Sequence, residues 1–167
     1  WNDSLIEGTG NFTISYWMKN SQWRNYEGIL STLSSITYGA GFGMVMDNLG
    51  TIGFFADNNN IKNWKILATF STGSPINQWH HYTFTRTSLN TFQYYMDGVP
   101  KVTTNLSATT NFSIPDNNRQ LLIGAAQRYA TGAVETFFSG SLDEVGIYNR
   151  ALSSGEILTC YNANGQW

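Results

Sequence analysis

FSGSLDEVGIYNRALSSGEI, residues Phe138 to Ile157, is the stretch on which the fold turns. Its first half belongs to the run Phe137–Tyr148, which reads as a strand set off by Gly and Asn. Its second half changes character. Ser153-Ser154-Gly155-Glu156 has the spacing of a capping box, in which Ser153 accepts from the third-residue amide and Glu156 reaches back. Ile157, Cys160 and Tyr161 then fall on one helical face, so a single short helix closes the chain.

Upstream, short apolar or alternating runs recur between Gly, Asn, Asp, Ser and Pro, the pattern of an all-β sandwich. They are Phe12–Lys19, Gly28–Leu33, Gly41–Met46, Thr51–Ala56, Lys65–Phe70, Trp79–Arg86, Phe92–Met96, Lys101–Leu106 and Gln120–Ala125. Asp97-Gly98 supplies the positive φ angles of a tight hairpin, and Asp47-Asn48-Leu49-Gly50 joins two further runs in the same way. Within Gly41–Met46, Phe42, Met44 and Met46 share one face and Gly43 and Val45 the other, as a strand of period two requires. The segments Ala56–Trp64 and Ala108–Arg119 read as exposed loops. There is neither an internal repeat nor a domain-sized linker, so residues 1–167 form one domain.

Composition narrows the function. Hydrophobic residues are 41% and aromatics 15%, too apolar for a disordered chain, and no apolar run reaches the roughly 20 residues that span a bilayer. Charged residues are only 12%, which leaves a surface of Asn, Ser, Thr and Gly of the kind common outside cells. The 9 basic residues form no cluster and the net charge is -2, so nucleic acid is excluded as a partner. Cys160 is the only cysteine, which forbids an intrachain disulfide; on the apolar helix face it reads as a small buried hydrophobe, against a reactive thiol for which no base stands near it in sequence. Sequons at Asn2, Asn11, Asn105 and Asn111 arise by chance in a chain so rich in Asn, Ser and Thr. The start at Trp1, with neither initiator Met nor signal pattern, reads as a piece of something longer.

Several segments, in order, resemble the LamG-like jellyroll domains of the concanavalin A-like lectin and glucanase superfamily. GNFTISYWMK is similar to that family's Phe-Thr-Ile-x-x-Trp strand. INQWHHYTFTR and FQYYMDGVPK are similar to its Trp-His-His strand and Tyr-x-Asp-Gly hairpin; LLIGA matches the next strand; and residues 138–157 resemble its terminal signature. The resemblance implies two packed antiparallel sheets in a jellyroll, often with a structural calcium, in secreted, cell-surface or virion proteins that recognise carbohydrate or protein. One feature departs from it: the usual first strand, of the Leu-x-Phe-Asp-Gly type, is missing, and either it lies upstream or Trp1–Ile6 partly replaces it. A jellyroll without that strand leaves an open sheet edge, to be paired by the parent polypeptide or a neighbouring subunit.

Glycoside hydrolysis needs two carboxylates roughly 5–10 Å apart. Glu7, Glu27, Glu135, Glu144 and Glu156 are isolated in sequence, and adjacent Asp143 and Glu144 point to opposite faces of a strand, so no catalytic residues are expected. His80 and His81 also face opposite ways, and the family pattern makes one of them a core residue rather than a metal ligand. The resemblance makes Asp143 a ligand of a structural calcium together with carbonyls of the N-terminal region, against a strand-end Asp satisfied by backbone amides; both readings stand. Trp17 and Trp79 are packing residues by their family positions. Trp23, Tyr26, Lys62, Trp64 and Tyr129 fall in or beside loops, where an aromatic either stacks on a sugar ring or lies half-buried. The expectation is a non-catalytic binding or adhesion module for glycans or a cell surface, extracellular or on a virion; the alternative is a decoration or assembly domain whose partners are neighbouring protein subunits.

Overall fold

The computed structural model describes residues 6, 8–32, 41–57, 65–71, 73, 75–88, 90–105, 114, 120–127 and 133–164. Among these residues the chain forms β1 (Phe12–Asn20), β2 (Glu27–Ser31), β3 (Gly41–Met46), β4 (Thr51–Asp57), β5 (Lys65–Ser71), β6 (Trp79–Ser88), β7 (Thr91–Met96), β8 (Val99–Asn105), β9 (Leu122–Ile123), β10 (Ala125–Gln127), β11 (Val134–Phe137), β12 (Gly140–Tyr148) and α1 (Ser154–Asn164). One sheet has the order β12-β1-β6-β7-β8, the other β5-β4-β3-β2-β9, and β10 and β11 pair with each other. The neighbouring strands pair antiparallel. The result is the two-sheet sandwich with one short C-terminal helix that the alternating runs predict.

Period two places Phe12, Ile14, Tyr16 and Met18 of β1, Tyr82 and Phe84 of β6, and Phe92 and Tyr94 of β7 on the inner face of the first sheet. They meet Leu30, Phe42, Met44, Met46, Ile52, Phe54 and Phe70 of the second. Phe54 is the centre of this layer: its ring stacks 4.5 Å from Phe84 and 5.7 Å from Phe42. Part of the outer face of the first sheet is buried too, around Thr13, Ser15, Trp17 and His81. Thr13 Oγ1 donates to the Arg150 carbonyl and accepts from the Leu152 amide, both at 2.9 Å, and Tyr161 of α1 stacks on Trp17. Ile157, with Cys160 beside it, packs on Tyr95 and Leu152, so Cys160 is half-buried in apolar company as expected.

The capping box forms as read: the Glu156 amide donates to Ser153 Oγ at 3.3 Å and the Ser153 amide to Glu156 Oε2 at 2.8 Å. Asp97 (φ 53°) and Gly98 (φ 73°) make the two-residue hairpin, which lets β8 begin at Val99, before the expected Lys101. Asp47 Oδ1 accepts from the amides of Leu49 and Thr51 and closes the other turn.

Several boundaries differ from the expectations. Gly124 (φ 73°) cuts the run Gln120–Ala125 into β9 and β10 while its amide keeps a bond to the Ile29 carbonyl. The run Phe137–Tyr148 is likewise cut at Phe138 and Ser139. The Phe138 amide still bonds Gly124, whereas the Ser139 carbonyl accepts from Ser21 at the end of β1, so the chain crosses between the sheets there. Ala56 is buried in β4 rather than opening a loop, and Ile114, inside the segment read as exposed, is buried and bridged to Gly8. Ile6 is a core residue as well, which ties the described part of the N-terminal segment into the sandwich. Trp79 is not a packing residue: it is 37% exposed, with Lys19 Nζ 5.4 Å from its ring centre. No helix among the described residues is long and apolar enough to cross a membrane.

Candidate functional site

One end of the sandwich gathers Ser21–Tyr26 between β1 and β2, the turn Asp47–Gly50 between β3 and β4, and residues 75–78 ahead of β6. Backbone and side-chain bonds lock these pieces together. The Asn77 amide donates to the Asn20 carbonyl at 2.6 Å, and the Asn48 amide to Asn25 Oδ1 at 3.3 Å. Tyr26 follows Asn25 with φ 62°, a left-handed conformation uncommon for a bulky residue, and its side chain is 70% exposed. Trp23 turns the other way and packs, half-buried, against the core. Leu49 (77% exposed) and Ile76 add apolar surface at this end.

Beneath the loop lies Glu27, only 2% exposed. Among the described residues neither of its carboxylate oxygens has a hydrogen-bond partner. Burial drives its pKa up from the usual 4.5; the Ser139 hydroxyl and amide, near but outside hydrogen-bonding geometry, and the Arg24 charge pull it down less. Sequence reasoning saw only an isolated Glu here. The signal available was its place at the head of a strand whose other residues are buried.

Trp23 and Tyr26 therefore share one loop, with opposite roles: Tyr26 faces out and Trp23 faces in. Lys62, Trp64 and Tyr129 lie outside the described residues. Asp143 is exposed on β12, and its Oδ1 accepts from the Glu144 amide at 2.8 Å. Glu144 (φ 48°) is the extra residue of a β-bulge opposite β1, and for that reason Asp143 and Glu144 are both exposed instead of pointing to opposite faces. Among the described residues no three His, Cys, Asp or Glu side chains converge where a metal ion could be held.

The histidines do face opposite ways. His81 is buried on the outer face of the first sheet, its Nε2 2.8 Å from Ser15 Oγ, and burial pushes its pKa down to about 4, so the ring is neutral at pH 7. His80 Nδ1 lies 2.8 Å from Asp97 Oδ2, which also ties the histidine strand to the hairpin. Two other carboxylates have structural work: Asp47 closes a turn, and Glu156 binds Arg150 through two contacts besides capping α1.

The family model described as the concanavalin A-like lectin/glucanases superfamily matches residues 1–158. The chain belongs to that family. Solved structures with the same fold include the Ruminococcus gnavus IT-sialidase CBM40 bound to α2,3-sialyllactose (TM-score 0.74, 16% identity, 95% of this chain and 85% of that one). They also include the binding domain of botulinum neurotoxin serotype G (TM-score 0.72, 17% identity, 99% and 39%) and a heptameric SAP-like pentraxin from Limulus polyphemus (TM-score 0.67, 19% identity, 96% and 74%). The chain spans 38–39% of the length of the neurotoxin serotype D and G binding domains it matches. At these identities the likeness is one of fold. The sequence matches no curated protein.

Proposed function

We propose that this lectin/glucanase-superfamily domain is a non-catalytic binding module whose ligand meets the sandwich end built from Ser21–Tyr26 and Asp47–Gly50. The observation that carries the reading is Tyr26, a mostly exposed aromatic in a left-handed conformation, braced by the Asn25–Asn48 bond. An aromatic face beside amide side chains is the chemistry that recognises a sugar ring: apolar stacking on one side, hydrogen bonds at the rim. Similar folds support the class: one is a sialidase module bound to sialyllactose, others are receptor-binding domains of neurotoxins. The ligand in this reading is a glycan or glycan-bearing cell surface, and the domain works outside the cell or on a virion. A hydrolytic role is disfavoured because Asp47, Asp97 and Glu156 are engaged in a turn, an ion pair and a helix cap, and Glu27 is buried.

A structural calcium at Asp143 belongs to the same proposal as an accessory. Its carboxylate is exposed but already accepts one amide bond, so the ion would need main-chain oxygens for most of its shell.

Glycan-array binding of the wild-type chain and of Tyr26→Ala is the test. Binding that falls at least tenfold in Tyr26→Ala with an unchanged melting temperature supports the reading; undiminished binding in the variant overturns it. A second reading has its own observation, the exposed Leu49 and Ile76 beside Tyr26, which suit a protein partner in a particle. Absence of glycan binding together with self-assembly lost in Leu49→Ser selects that alternative.

A further inference from the structure

We propose that Glu27 anchors a site for a hard divalent cation of the calcium class, held between the two sheets under the Ser21–Tyr26 loop. Glu27 heads β2, paired in register with Met46 of β3. From the opposite sheet the Asn20 side chain reaches across, its Nδ2 3.9 Å from Met46 Sδ, so Asn20 and Glu27 both neighbour the same methionine. Both are at least nine-tenths buried. Asn20 Oδ1 accepts a long 3.3 Å bond from the Gln22 amide, and Ser139 stands beside Glu27 where the chain crosses between sheets.

Oxygen atoms surround the carboxylate, and the donors beside it, the Ser139 hydroxyl and amide, fall outside hydrogen-bonding geometry. A buried carboxylate with no donor is costly unless it takes a proton or a cation. Arg24 is exposed and makes no ion pair with it, acting only from a distance. With one carboxylate, an amide oxygen and a serine hydroxyl, and with neither imidazole nor thiolate at hand, the surroundings suit a hard ion and not zinc or copper. A single fixed charge places the affinity among weak extracellular sites, with dissociation constants on the order of 0.1–1 mM. This site is separate from Asp143, which lies on the edge strand β12, and it does not depend on the identity of the ligand at Tyr26.

Thermal melts at pH 7 with chelator, calcium or magnesium test it, using the wild-type chain, Glu27→Gln and Asp143→Asn. Calcium at about ten times the dissociation constant is expected to raise the wild-type melting temperature by roughly 3–5 °C. Glu27→Gln is expected to lose most of that response while melting above wild type in chelator, and Asp143→Asn to keep most of it. A wild-type chain indifferent to calcium means that Glu27 carries a proton instead, and overturns the proposal. So does a response that survives Glu27→Gln and disappears in Asp143→Asn.

Discussion

Glu27 shows at the level of one residue how burial turns an ordinary carboxylate into a determinant of stability. Its pKa is raised in the folded chain, chiefly by desolvation, so its contribution is fully present below about 4.5 and is lost as pH rises through the folded value. His81 works in the opposite sense: with its folded pKa down at about 4, its contribution is present above 6.5 and lost as pH falls towards 4. The wild-type profile in chelator sums both, and the Arg24 charge is common to wild type and variant. The difference between wild type and Glu27→Gln therefore isolates the carboxyl. Urea unfolding across pH 4 to 8 is expected to show the variant gaining on wild type as pH rises, by roughly 1–3 kcal/mol at neutrality. A difference that stays flat with pH would mean that Glu27 is not desolvated.

Elements tell a different story, because their ends are chemical devices that can be removed singly. Ser153→Ala deletes the acceptor for the Glu156 amide and one contact to Glu156 Oε2, and is expected to cost about 1 kcal/mol. Since α1 covers Trp17 and Tyr95, the loss is expected in the near-ultraviolet circular dichroism as well as in the melting curve. Ser154→Ala, one residue along, is the control and is expected to change little. The hairpin at Gly98 is tied to the same helix. With φ 73° it holds a conformation that strains any side chain, and an added Cβ, 2.8 Å from Leu158 Cδ1, would push the leucine aside. Both devices were legible in advance, as Ser-x-x-Glu and Asp-Gly are complete within a few consecutive residues. The breaks at Gly124 and at Phe138–Ser139 were not: each depends on a partner far along the chain, Ile29 in one case and Ser21 in the other.

In the whole molecule the two sheets are held by one aromatic layer, and Phe54 touches most of it, with rings of Phe12, Phe42, Phe84 and Phe92 within 6.1 Å. Phe54→Ala is expected to cost about 3–5 kcal/mol, read as a shift of the urea midpoint with an unchanged slope. A loss below about 1 kcal/mol would show that the layer closes around the gap. What the sequence determined by itself was local: the alternation that builds strands, the two Asp-led turns, the cap of α1, and the identity of the aromatic residues that fill the core. It also put Trp23 and Tyr26 in a loop. Tertiary structure decided the rest: that Trp23 turns inward while Tyr26 faces out, that Trp79 is exposed, and that Glu27 is sealed beneath the loop without a donor. The reason is physical. Backbone propensity and side-chain period act between neighbours, whereas burial and the loss of water around a carboxylate arise only when distant strands close over it.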